Sequence, residues 1–171
     1  MEQASVVRAA IVVGLAALLD AVVGPYLTFG FFSPKLTLIA VVFAVSPLRD
    51  LQAVLLGFFG GILLDALGSD LFGVGALGGL LAATLSARAS AVRRKGTERM
   101  LLAQVVALTV ACYDLLGYAA RWLAGLGVPA IGEYAVWGVL PDAAVNALLA
   151  ILIGGWLLKV VSVKPHNWEG R

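Results

Sequence analysis

The sequence has few charged residues and little of what a soluble enzyme or metalloprotein depends on. Only 13% of its 171 residues are charged, and it contains one histidine, His166, and one cysteine, Cys112. A single cysteine excludes an intrachain disulfide, and no Cys/His spacing suited to a metal is present. The chain also lacks a Ser/His/Asp set within its apolar segments and an HExxH motif. The sequence therefore predicts no enzymatic activity, no metal and no cofactor.

Long apolar segments are what the chain has in abundance. Hydrophobic residues make up 61% of it, and the mean hydropathy is +1.00. Because about 20 apolar residues in a helix cross the hydrocarbon of a bilayer, the sequence predicts an all-α integral membrane protein. We expect a compact bundle of six transmembrane helices forming one polytopic domain over residues 1–171. The predicted spans cover about residues 4–23, 34–45, 51–67, 72–91, 100–124 and 136–161, of which the second is the shortest.

Basic residues predict the orientation of this bundle, since Lys and Arg concentrate on the cytoplasmic side of membrane proteins. With the N-terminus inside, only Lys35 and Arg121 of the twelve basic residues fall outside. The sequence therefore predicts six spans with both termini in the cytoplasm. The residues on the inner side are Arg8, Arg49, Arg88, Arg93, Arg94, Lys95, Arg99, Lys159, Lys164 and Arg171. Aromatic residues follow the first span, including Phe29, Phe31 and Phe32, as expected near an interface.

Several polar residues fall within or at the ends of the predicted spans. A charge at the centre of a bilayer costs about 3 kcal/mol on insertion scales, so each one needs a partner or water. Two interpretations stay open. In the first, these residues line an outward-facing polar cavity for a ligand, a proton or a partner. In the second, the residues at span ends contact water, and the deeper ones form a structural network between helices. Spacing places Asp114 with Arg121, and Asp142 with Asn146, on common helix faces. The six candidates are Asp20, Asp65, Asp114, Arg121, Asp142 and Asn146.

Small residues spaced four apart form flat strips that let membrane helices approach closely. We expect most of these strips to serve packing inside the bundle, while one or two receive the helix of another protein. The pairs are Gly57 with Gly61, Gly75 with Gly79, Ala17 with Ala21, Ala10 with Gly14 and Ala150 with Gly154.

The segment from Gly57 to Leu77 resembles the signature of the rod shape-determining protein MreD family. In that family a glycine-containing helix ends in Gly-x-x-x-Asp-Leu and is followed by a short polar turn and a helix rich in small residues. Here Gly61 and Asp65 fit the first part and Gly73 the second, with Ala66 in place of the usual leucine. The resemblance extends to the proline-led second span at Pro34 and to the last span, which begins with Pro141 and contains Asn146.

This resemblance implies a non-enzymatic component of the bacterial inner membrane. Members of the family associate with MreC, through its single membrane helix and the segment beside it. They connect indirectly to MreB, RodA and the partner transpeptidase of RodA, and so help to control peptidoglycan synthesis and cell shape. The family is also similar in fold to the S-components of energy-coupling-factor transporters.

Two other functions stay open. The first is a small-molecule-binding subunit of the S-component kind. The second is a protein that recognises an undecaprenyl-type lipid, with Arg121 contacting its phosphate. Membrane lipids are expected partners and nucleic acid is not, because the basic loop Arg93–Arg99 fits a topological role or contact with anionic lipid. A homodimer is left open.

Overall fold

A computed structural model describes residues 2–28, 33–68, 71–91 and 97–161, and helices form most of these ranges. The predicted aromatic loop residues Phe29, Phe31 and Phe32, the basic residues Arg93–Lys95, and His166 lie outside these ranges. The helices are α1 (Glu2–Val22), α2 (Gly24–Leu27), α3 (Leu36–Val45), α4 (Asp50–Leu67), α5 (Val74–Ala91), α6 (Glu98–Leu123), α7 (Ile131–Tyr134) and α8 (Leu140–Val161), with a π-helical turn, Ala135–Val139, between α7 and α8.

Five helical segments are long and apolar enough to cross a membrane. They are Ser5–Val22, Asp50–Leu67, Val74–Ala91, Glu98–Leu123 and Ile131–Val161. The last is a single helical run made of α7, the π turn and α8, and it begins five residues before the predicted span. In the described residues this confirms the prediction of an all-helical fold with several helices able to span a membrane.

The predicted second span is the exception. Its helix, α3, has ten residues and is about 15 Å long, half the roughly 30 Å of bilayer hydrocarbon. The described residues therefore do not establish the predicted count of six spans.

Helix α3 lies at the centre of the bundle. Every residue from Thr37 to Val45 is buried, and α1, α4, α5, α6 and α8 all pack against it. Its C-terminal end is tied to α5, because the Ser86 hydroxyl donates a hydrogen bond of 2.6 Å to the carbonyl oxygen of Val42. Apart from Thr37, its side chains are apolar, so the helix can be buried on all sides without leaving polar side chains unpaired.

Helices α4 and α5 form the closest pair. Their backbones touch where glycines face each other, since a Cβ atom on Gly61 would overlap the carbonyl oxygen of Gly75, and one on Gly79 would overlap that of Gly57. These four glycines are therefore used inside the bundle. The strip containing Gly14 differs, because a Cβ there would meet nothing within 4 Å.

Large apolar side chains cover the outside of the bundle. Leu15 in α1, Leu108 in α6 and Leu152 in α8 are all more than half exposed. Such a surface is costly in water but suits contact with lipid chains. Together with the five long apolar helices, it indicates a membrane location.

Candidate functional site

Four of the six predicted polar residues meet at the N-terminal end of α3. Asp20 comes from α1, Asp114 from α6, and both Asp142 and Asn146 come from α8. All four are held around the short segment 33–37, which we call the α3 entry segment. Because Asp142, Asn146 and Asp114 are buried, their polar atoms need partners within the protein.

Asp20 caps the N-terminus of α3. Its carboxylate accepts hydrogen bonds from the backbone N–H groups of Leu36, at 2.8 Å, and Thr37, at 2.6 Å, as well as from the Thr37 hydroxyl. The first N–H groups of a helix have no partner within the helix, and a negative charge there interacts favourably with the helix dipole. The residue that precedes the helix, Lys35, provides no such cap, so a carboxylate from another helix takes that role.

Helix α8 fixes the backbone just before this helix. Asp142 Oδ1 accepts a hydrogen bond from the Ser33 N–H at 2.9 Å, and Asn146 Oδ1 accepts one from the Lys35 N–H at 2.8 Å. The Asn146 amide also donates to the Ser33 carbonyl oxygen at 3.2 Å. The spacing of four residues along α8 thus positions both side chains against one stretch of irregular backbone.

The Lys35 ammonium group is the cation at the centre of this cluster. Its Nζ lies 2.8 Å from Asp142 Oδ2 and 3.4 Å from Asp114 Oδ1, and 5.5 Å from the centre of the Tyr113 ring. One ammonium group therefore faces two carboxylates, which are only 3% and 9% exposed. Such a group holds the start of α3 against α6 and α8.

A cavity of about 460 Å³ lies beside the α3 entry segment. Polar groups of Asp20, Ser33 and Lys35 line it, together with the apolar side chains of Leu64 and Leu67. Asp114 precedes the end of α6 by nine residues, which places the cluster about 14 Å from that end along the helix axis. The polar cluster therefore lies well before the end of α6, and the cavity lies where α3 does not extend.

Asp65 belongs to a different place in the bundle. It lies in the last turn of α4, and its carboxylate accepts hydrogen bonds from the N–H groups of Gly73, Gly75 and Ala76 at 3.0, 2.7 and 2.9 Å. Asp65 thus caps α5 as Asp20 caps α3. Gly73 has a φ of 105°, a conformation that glycine adopts readily, and this bend directs its N–H toward the carboxylate.

Arg121 is exposed in the last turn of α6. At the same end of α6 the rings of Tyr118 and Tyr134 are stacked, with their centres 5.1 Å apart. The Tyr118 hydroxyl donates to the Pro129 carbonyl oxygen at 2.9 Å, which connects α6 to the loop before α7.

The sequence analysis did not identify four residues of the cluster: Ser33, Lys35, Thr37 and Tyr113. A signal for Lys35 was present, because it is one of the two basic residues outside the predicted cytoplasmic side and stands next to a proline. Within the described ranges, no group of three or more His, Cys, Asp or Glu side chains is arranged to hold a metal ion.

Comparison with protein families assigns the chain. The model of the family described as rod shape-determining protein MreD matches residues 3–163, nearly the whole chain. No curated protein and no solved structure matches it. The family match implies involvement in the determination of rod shape, in agreement with the resemblance of the segment from Gly57 to Leu77. The chain belongs to the MreD family of rod shape-determining proteins.

Proposed function

We propose that this protein is a non-enzymatic scaffold in the bacterial inner membrane that binds MreC. Through MreC it acts on MreB, RodA and the partner transpeptidase of RodA, and so helps to control peptidoglycan synthesis and cell shape. The observation that carries the proposal is the α3 entry segment, where Asp20, Asp142 and Asn146 bond to backbone groups and Lys35 pairs with carboxylates. Polar groups used in this way fix the helices relative to each other. A rigid bundle of this kind is suited to binding a partner protein.

A groove between α5 and α6 is the best place for a partner helix. It has a volume of about 530 Å³ and a mostly apolar lining, with the small residues Gly73, Ala76, Ala119 and Ala120 among the larger ones. Small residues let a second helix approach closely, which favours association in lipid. Gly57 and Gly61 do not offer this opportunity, because α5 already covers them.

Co-purification of MreC tests this proposal. We expect Ala119→Leu combined with Ala120→Leu to reduce the MreC retained by the tagged protein, since the larger side chains fill the groove. Ala10→Leu is the matched control, because Ala10 is exposed on α1, far from this groove in sequence, and belongs to another helix. If the wild-type protein retains no MreC, the scaffold proposal fails. If the double variant retains as much as Ala10→Leu, the groove is not the binding face.

The topology proposed with this function is six segments that alternate in direction, with α3 as an incomplete crossing and both termini in the cytoplasm. Two contacts support the alternation: Asp20, near the end of α1, caps the start of α3, and Asp65, near the end of α4, caps the start of α5. Cysteine labelling in a Cys112→Ala background tests it. An impermeant maleimide should label Leu126→Cys in intact spheroplasts and Lys95→Cys only after lysis; the opposite pattern would refute the orientation.

A second function, a small-molecule-binding subunit similar to an S-component, is favoured by the 460 Å³ cavity beside Lys35. Its polar and apolar lining is of the kind that holds a small ligand. Native mass spectrometry of the purified protein tests this candidate. We expect a bound compound that disappears in Leu64→Trp, which fills the cavity, while MreC binding persists. Absence of any bound compound from wild-type protein extracted in mild detergent would count against this candidate.

A further inference from the structure

Two basic side chains lie at the opposite end of the bundle from the polar cluster, where α6 begins and α8 ends. Arg99 lies across Gly155 so closely that a Cβ atom on this glycine would overlap the guanidinium group. Lys159 follows Gly155 by four residues and thus lies on the same face of α8. Both basic side chains are exposed, and neither forms an ion pair with any residue in the described ranges.

An apolar groove of about 440 Å³ continues from Arg99 between the two helices. Met100, Ile151 and Leu158 line it, and Glu98 is the acidic residue of the lining. Arg99 is the second residue of α6, and Lys159 lies two residues before the end of α8. Both charges are therefore at helix ends, at the level of lipid headgroups, while the apolar lining extends toward the bilayer interior.

We propose that this groove binds a phospholipid with an anionic headgroup. Arg99 and Lys159 contact the phosphate, and an acyl chain lies along Met100, Ile151 and Leu158. Charge complementarity supports this occupant, because an exposed cationic pair beside an apolar channel matches a molecule with a phosphate at one end and a hydrocarbon chain at the other. A planar guanidinium group also binds phosphate oxygens in pairs.

Quenching of Trp156 by brominated lipids tests the proposal. Trp156 is adjacent to Gly155 and 65% exposed, so it reports on lipid at this end of α8. The other tryptophans, Trp122, Trp137 and Trp168, are replaced by phenylalanine. Two bilayers are compared: one mixes brominated phosphatidylglycerol with unbrominated phosphatidylcholine, and the other mixes unbrominated phosphatidylglycerol with brominated phosphatidylcholine. We expect stronger quenching of Trp156 in the first, where the anionic lipid carries the bromine. Arg99→Gln and Lys159→Gln should each reduce this preference about fivefold.

Two further variants separate a specific groove from general surface charge. Arg88→Gln removes an exposed charge in the last turn of α5 and should leave the preference unchanged. Gly155→Leu retains every charge but displaces the Arg99 guanidinium group, and should reduce the preference as Arg99→Gln does. Equal quenching by the two lipids in the wild-type background would overturn the proposal, and so would an Arg88→Gln variant with the same loss as Arg99→Gln.

Discussion

The two carboxylates that face Lys35 are predicted to contribute unequally to stability. Asp142 contacts Nζ at 2.8 Å and also accepts the Ser33 N–H, whereas Asp114 contacts Nζ at 3.4 Å. A single ammonium group can neutralise only one of them. We therefore expect Asp114→Asn to be tolerated and Asp142→Asn to be strongly destabilising.

The distances give the size of the effect. At an effective dielectric constant of about 20, Lys35 attracts Asp142 by about 6 kcal/mol and Asp114 by about 5 kcal/mol. Both carboxylates contact one nitrogen, so the two oxygens are at most about 6 Å apart and repel each other by about 3 kcal/mol or more. The desolvation of Asp114 costs several kcal/mol further. The second carboxylate therefore gains nothing on balance.

Unfolding in detergent by sodium dodecyl sulfate, followed by circular dichroism, measures these effects. We expect Asp114→Asn to change the free energy of unfolding by less than about 1 kcal/mol, and Asp142→Asn to lower it by about 3 kcal/mol. Lys35→Met should lower it by about 3 to 5 kcal/mol, because it leaves two buried carboxylates without a cation. Adding Asp114→Asn and Asp142→Asn to Lys35→Met should recover most of that loss. Glu133→Gln, on an exposed position, serves as the control.

An Asp114→Asn variant as unstable as Asp142→Asn would refute this reasoning. It would mean that both carboxylates are required, and hence that a second positive charge or a bound cation balances the cluster. Failure of the triple variant to recover stability would show that hydrogen bonding to Ser33 matters more than charge balance.

Three other predictions concern the helix caps and the glycine contacts. Asp20→Ala should lower the free energy of unfolding by about 1 to 2 kcal/mol and speed amide hydrogen exchange at the start of α3, because it removes a cap. Asp65→Ala should do the same at the start of α5, with exchange in α3 unchanged. Gly61→Ala should destabilise the α4–α5 pair, whereas Gly14→Ala should stabilise the protein by about 0.5 to 1 kcal/mol; the comparison of their thermal unfolding checks both.

Local patterns predicted the helices and part of the polar cluster. Five apolar runs are long enough to be recognised without tertiary information, and the spacing between Asp142 and Asn146 fixes their common face. The family was indicated by the order and spacing of its motifs, at Pro34, at Gly61 with Asp65, and at Pro141 with Asn146. These features depend on residues close together in the sequence.

The partners of these residues could not be predicted in the same way. Lys35 was expected on the outer side of the membrane as an exception to the charge rule, and it pairs with side chains 79 and 107 positions further along the chain. Nothing in the periodicity of α6 or α8 indicates which of their polar residues faces the start of α3. Asp65 was grouped with the cluster because depth in a span does not specify the side of the bundle. Its separation depends on how the helices are arranged around α3.

The shortness of α3 explains why so many polar groups lie within this bundle. A helix that crosses a bilayer completely leaves its unpaired N–H groups at the headgroups, where water reaches them. The start of α3 is instead enclosed by other helices: Thr37 is fully buried, and the Lys35 partner Asp114 lies about 14 Å before the end of α6. Asp20, Asp142 and Asn146 supply the acceptors that water would otherwise provide.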